Sequence, residues 1–157
     1  MLDVRMLFSC LTDADFLDTA AHFEGMPREK GPELDVNVAL QALTDFMNGS
    51  VRASSKADQS VLDARNSLWE MVTTAADRPP GLLTLTAPTG SGKTLAMLKF
   101  ALEHAARNGL KRIILAVPFL SIIEQTAAIY RAVFSTFPAN YVLEHHSLAG
   151  LGSEEAQ

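Results

Sequence analysis

In the first half of the chain, apolar residues recur every three or four positions; past residue 80 they condense into short unbroken runs set between further helical stretches. Residues 2–23 carry Leu7, Leu11, Ala14, Leu17 and Ala21 near the helical period and predict a first helix. Residues 33–48 put Val36, Leu40, Leu43 and Met47 on one face, with Pro32 before them and Gly49 after them as start and stop signals. Residues 58–76 carry Val61, Leu62, Leu68, Trp69 and Val72 and predict a third helix, which Pro79-Pro80-Gly81 ends. Between these lie a charged loop punctuated by Gly and Pro (25–32) and a small, polar connector (50–56).

The later runs read as strands. They are 82–86 (Leu-Leu-Thr-Leu-Thr), 112–117 (Arg-Ile-Ile-Leu-Ala-Val) and a short third run at 140–144. Helices are predicted between them, from 95 to about 107 and from 120 to 134, with Gly109 as the C-cap of the first. The run at 112–117 does not alternate with polar residues, which suits a parallel strand covered on both faces. This order predicts an α/β fold: a partial RecA-like parallel sheet with flanking helices and right-handed crossovers, preceded by an α-helical region. Three strands are fewer than a nucleotide-binding sheet normally has, so the architecture is expected to be incomplete at both ends.

Composition narrows the class. Apolar residues make up 48% of the 157, enough for a packed core. Cys10 is the single cysteine, which leaves no partner within the chain for a disulfide and fits a reducing compartment. No apolar run approaches the ~20 residues that span a bilayer, and the N-terminus lacks the pattern of a signal peptide. A cytoplasmic protein with no membrane contact is expected. The net charge of −5 does not suggest a nucleic-acid binder, but its distribution is uneven. Residues 1–80 hold 13 acidic and 7 basic side chains, whereas 81–157 hold 5 and 6, so the second half permits contact with a polyanion.

The strongest chemical signal is Ala87-Pro88-Thr89-Gly90-Ser91-Gly92-Lys93-Thr94, a phosphate-binding loop between a strand-like run and a helix. Gly90 and Gly92 let the backbone curl so that successive N–H groups face phosphate oxygens. The following helix adds its free N–H groups and the positive end of its dipole. Lys93 reaches β- and γ-phosphates, and the Thr94 hydroxyl suits Mg²⁺. Pro88, Thr89, Gly90, Ser91, Gly92, Lys93 and Thr94 are therefore the candidate nucleotide-binding residues. The usual G-x-x-x-x-G-K-[ST] spacing asks for Gly at 87, where this chain has Ala87. No Asp occurs in 81–157, so the acid that would hold Mg²⁺ and activate water is not in that stretch, and negligible ATP hydrolysis is expected.

Three further constellations are weaker. Val117-Pro118 ends the second run, and Ser121, which is suited to cap the next helix, lies beside it with Gln125 one turn on; this turn either meets a nucleic-acid phosphate or is an ordinary connection. In Glu144-His145-His146-Ser147 adjacent side chains of a strand point apart, a poor metal pair; a packed polar end, or a phosphate contact from His146 or Ser147, are the two readings. Asp13 and Asp15 lie about 200° apart on a helix and do not act as a pair. A cap, an ion-pair partner and a metal ligand are all open for either.

Taken together, residues 5–19, 83–101, 118–127 and 142–147 resemble, in that order, four segments of the helicase-nuclease of type I CRISPR systems. That family fuses an HD-type metal nuclease to a superfamily 2 helicase. The resemblance implies a late HD-domain helix at 5–19 with Asp15 as a nuclease metal ligand, helicase motif I at 83–101, and motif Ia at 118–127. It implies ATP and Mg²⁺, a divalent transition metal (Ni²⁺, Co²⁺, Mn²⁺ or Fe²⁺) for the nuclease, translocation 3′ to 5′ on single-stranded DNA, and recruitment by an RNA-guided surveillance complex. It places Pro118, Ser121, Gln125 and His146 near DNA and Arg65 among the nucleotide contacts. The expected organisation is the end of an HD domain (1–48), a linker with a pre-helicase helix (49–78), and the first part of RecA-like domain 1 (79–157). The chain alone is expected to be inactive. A different P-loop NTPase, such as a small-molecule kinase, and a defunct structural piece are the alternatives.

Overall fold

A computed structural model describes residues 2–24, 31–53 and 59–145. Among these residues are five α-helices: α1 (Leu2–Glu24), α2 (Val36–Ala53), α3 (Gln59–Ala75), α4 (Lys93–Asn108) and α5 (Leu120–Val133), followed by a 3₁₀ turn at Ala139–Tyr141. The chain divides into two compact units, Met1–Gly31 and Pro32–Gln157.

In the first unit the described helix is α1. Its apolar side chains are spread round the helix rather than gathered on a stripe, and Leu7, Phe8, Leu11, Phe16 and Phe23 are all exposed. Within it the Thr12 hydroxyl donates to the Phe8 carbonyl at 2.9 Å, one turn back.

In the second unit α4 packs against both α2 and α3, and α2 also meets α5. The sequence explains the start of α2 in a way the proline signal did not. Asp35, not Pro32, caps it: the carboxylate accepts from the Asn37 and Val38 amides at 3.1 and 3.2 Å. The helix therefore begins at Val36, and it runs through Gly49 to Ala53 rather than stopping at Asn48. A lone helical glycine costs only ~1 kcal/mol against alanine, too little to end a helix by itself. At the far end of α4, Gly109 (φ 63°) adopts the left-handed conformation, and its amide and that of Leu110 both return to the Ala105 carbonyl.

The core lies where α2, α4 and α5 meet. Leu43 and Leu102 are each 1% exposed and pack with Ala39, Leu98, Val133 and Phe134. Phe134, Phe137 and Tyr141 close one side with ring contacts 4.6–5.2 Å apart, edge-on from Phe134 to the other two and tilted between Phe137 and Tyr141. A smaller cluster of Leu68, Val72 and Ala96 joins α3 to α4, with Ala87 packed against it. Between the same two helices, the Lys99 ammonium lies 5.0 Å from the Trp69 ring centroid.

The expected α/β architecture is corrected here: among the described residues there is no strand, and the partial RecA-like parallel sheet is not formed. Residues 82–88 and 110–117 are irregular. A strand exists only where a neighbour supplies the other half of its hydrogen-bond ladder. The β-prone composition of these runs has no such partner among the described residues, and most of their side chains are exposed, Leu82 at 96% and Ile114 at 89%. The third expected strand, 140–144, is replaced at its start by the 3₁₀ turn, in which the Tyr141 amide donates to the Pro138 carbonyl at 2.9 Å. Proline at the turn's entry and the Phe134–Phe137–Tyr141 ring cluster favour that compact conformation over an extended one. No helix among the described residues is long and apolar enough to cross a membrane.

Candidate nucleotide-binding site

The loop Ala87–Thr94 connects the irregular run after α3 to the first turn of α4. Gly90 and Gly92 hold φ of 81° and 83°, a left-handed region that suits only glycine without strain. Between them Ser91 is turned inward: it is buried, and its hydroxyl donates to the Pro88 carbonyl at 2.7 Å, with its amide near the same oxygen at 3.4 Å. This pins the loop into a tight turn. Gly92 is the N-cap of α4, and its carbonyl receives the Ala96 amide at 3.1 Å, the first bond of the helix. The N–H groups of the first turn then have no partner within the helix and concentrate positive potential at the loop.

Two cations flank this turn. The Lys93 ammonium is half-buried and donates to the Ala87 and Pro88 carbonyls, each at 2.8 Å. Arg65 projects from α3; its Nη2 is 3.5 Å from the Gly90 carbonyl, at the outer limit of a hydrogen bond. Its Nε is buried with no hydrogen-bond partner among the described residues. A guanidinium with a spare buried donor beside a ring of N–H groups fits an anionic ligand. Thr94 is half-buried in the first turn of α4. Its carbonyl accepts a hydrogen bond at 3.1 Å from the Tyr130 hydroxyl of α5. Burial pushes the Tyr130 pKa up to about 12, so the hydroxyl remains a donor throughout the neutral range.

The other sequence-expected residues are not all brought together. Pro88, Thr89 and Gly90 are exposed on the loop. Pro118, Ser121 and Gln125 are exposed at the start of α5. Ser121 does not cap that helix: Phe119 is the N-cap, and its carbonyl receives the Ile122 and Ile123 amides at 3.1 Å each. His146 lies outside the described residues. Asp15 is exposed on α1, in the other unit. Among the described residues, no group of three or more His, Cys, Asp or Glu side chains could hold a metal ion. Sequence reasoning missed Tyr130. The available signal was a tyrosine on the apolar side of a helix, where a buried hydroxyl requires a partner.

A glycine-turned loop seated on a helix N-terminus, with a lysine inside it, has the shape of a phosphate-binding loop. The chain belongs to the family described as Type III restriction enzyme, res subunit, whose sequence profile matches residues 51–151 and spans the loop, α4 and α5. This is a superfamily 2 helicase-type domain, so the chain is helicase-like and its family acts on nucleic acid with ATP and Mg²⁺. No curated protein matches the chain.

Proposed function

We propose that this chain supplies the ATP·Mg²⁺-binding part of a motor that moves on single-stranded DNA, in a helicase-nuclease of the type I CRISPR kind. The observation that carries the nucleotide reading is the loop itself: two left-handed glycines, the buried Ser91 turn and Lys93 at the head of α4. In this reading the first-turn N–H groups of α4 and the Lys93 ammonium hold the β- and γ-phosphates. Lys93 exchanges the Ala87 and Pro88 carbonyls for phosphate oxygens, and Arg65 turns its spare donor toward the same charge. The Thr94 hydroxyl would help hold Mg²⁺, which would supply charge neutralisation at the phosphate oxygens. Pro118, Ser121 and Gln125 lie exposed at the start of α5, where a nucleic-acid backbone has access.

The DNA and surveillance-complex parts of the proposal rest on the ordered resemblance of residues 5–19, 83–101, 118–127 and 142–147 to that family. Asp15 is the candidate contribution to a nuclease metal, but one exposed carboxylate does not make a site. The described residues do not fit a transition metal, and no phosphodiester cleavage is derived from them.

Calorimetric titration of ATP with Mg²⁺ into wild type and Lys93→Ala tests the nucleotide reading. A charge-assisted hydrogen bond contributes about 1.5–3 kcal/mol, so the variant should bind ten- to a hundredfold more weakly. A folded wild type that binds no ATP, or equal binding by the variant, refutes it. Anisotropy of a labelled single-stranded oligodeoxynucleotide, compared with its duplex, tests the DNA part; no preference for the single strand counts against it.

A further inference from the structure

The hydrogen bond from Tyr130 to Thr94 spans 36 residues of sequence and ties α5 to the first turn of α4. A carbonyl oxygen has two lone pairs. In α4 one is directed at the Leu98 amide, as helix geometry requires; the Tyr130 hydroxyl takes the other. Tyr130 is half-buried and packed against the core of α2, α4 and α5, so its ring has little freedom. Its hydroxyl therefore holds the main chain of Thr94, the second residue of α4, directly after Lys93. From α3, Arg65 approaches the Gly90 carbonyl. The loop and the helix turn that follows it are thus held from α3 and from α5.

We propose that Tyr130 is a positioning residue for the metal-bound nucleotide: it fixes the Thr94 backbone and so the direction of the Thr94 hydroxyl toward Mg²⁺. This rests on the reading of Thr94 as a Mg²⁺ ligand given above. A hydroxyl serves as a metal ligand only if its oxygen is held within a fraction of an ångström of the octahedral position, because Mg²⁺ tolerates little distortion. The phosphate contacts of Lys93 and the loop amides are less demanding, since a point charge and a fan of N–H groups accept small displacements. Loss of the Tyr130 hydroxyl should therefore weaken what Mg²⁺ adds to nucleotide binding and leave the metal-free contribution intact. The hydroxyl keeps its proton through the neutral range, so the restraint does not vary with pH there.

Tyr130→Phe keeps the ring and removes only the donor. The experiment measures ATP affinity of the full chain in Mg²⁺ and in EDTA, for wild type, Tyr130→Phe and Lys93→Ala, with the circular dichroism melt of each. In Tyr130→Phe the Mg²⁺-dependent gain in affinity should shrink about five- to tenfold, while affinity in EDTA stays within about twofold and the helical signal is retained. Lys93→Ala should lose affinity in both conditions. An unchanged Mg²⁺ gain in Tyr130→Phe overturns the proposal. So does an equal loss with and without metal, or an unfolded variant, since either shows that the tyrosine serves the fold alone. No ATP binding by folded wild type in either condition refutes the nucleotide reading itself and removes the basis for a positioning role.

Discussion

Two glycine-to-alanine substitutions should act in opposite directions, for reasons visible in the backbone. Gly92 has φ of 83° at the head of α4, whereas Gly49 lies within α2 without a positive φ. A Cβ at Gly92 meets only the Arg65 Cγ at 4.0 Å, ordinary contact, and a Cβ at Gly49 meets nothing within 4 Å. Steric crowding is therefore negligible at both sites, and the backbone alone decides. At Gly92 the left-handed conformation costs an L-residue about 1–2 kcal/mol. Escape to negative φ would swing the Lys93 amide and disturb the Gly92 carbonyl that receives the Ala96 amide. At Gly49 the alanine reduces the entropy of the unfolded chain and gains about 0.5–1 kcal/mol in a helix. Both helices belong to one compact unit and share its core, so one unfolding transition reports on both. Urea denaturation followed by helical circular dichroism should place Gly92→Ala below wild type and Gly49→Ala above it. With a slope of about 1.5 kcal/mol per molar urea, the two midpoints differ by roughly 1.5 M. A Gly92→Ala variant as stable as wild type, or a destabilised Gly49→Ala, would refute the reasoning, because no other difference between the sites predicts opposite signs.

Two further outcomes follow from the core and from α4. Leu102→Ala removes a side chain that is 1% exposed at the junction of α2, α4 and α5, and should cost about 3 kcal/mol, read as a lowered urea midpoint with an unchanged slope. The Glu103 carboxyl titrates below its ordinary value of 4.5: burial alone would raise it, but hydrogen bonds from Lys99 and Arg107 and their charges outweigh burial. A depressed folded-state pKa adds stability that is present above the unfolded-state value and is lost as pH falls through the folded-state one. Glu103→Gln should therefore be less stable than wild type at neutral pH, with the gap closing on acidification below pH 4.5; a gap that is constant with pH refutes the assignment.

The helices were legible because each carries its own signal. The spacing of Leu40, Leu43 and Met47, or of Leu68 and Val72, repeats with the turn of a helix and needs no distant partner to be read. Gly109 was legible as a cap for the same reason, since a left-handed residue closes a helix locally. The strand-like runs at 82–86 and 112–117 failed because apolar β-branched composition reports suitability for a ladder, not the presence of a neighbour. Asp35 was overlooked in favour of Pro32, although its short carboxylate next to Val36 is the stronger capping chemistry. Of the candidate site, the loop was fully written in residues 87–94. Of its supports, Arg65 was reached only through the family resemblance and Tyr130 not at all: they lie 25 and 36 residues from their partners, and only packing brings them there.

The carbonyls that hold the Lys93 ammonium also set a threshold for whatever enters the loop. Ala87 and Pro88 each offer it a neutral dipole at 2.8 Å. An incoming group must out-compete both, and an ammonium exchanges neutral acceptors readily only for oxygens that carry formal charge. A single carboxylate would bring one charge to that exchange, whereas the clustered oxygens of a polyphosphate would bring several within reach of one cation. On the proposed nucleotide reading, the loop would select by charge density before any base or sugar is met, with its own main chain as the competitor.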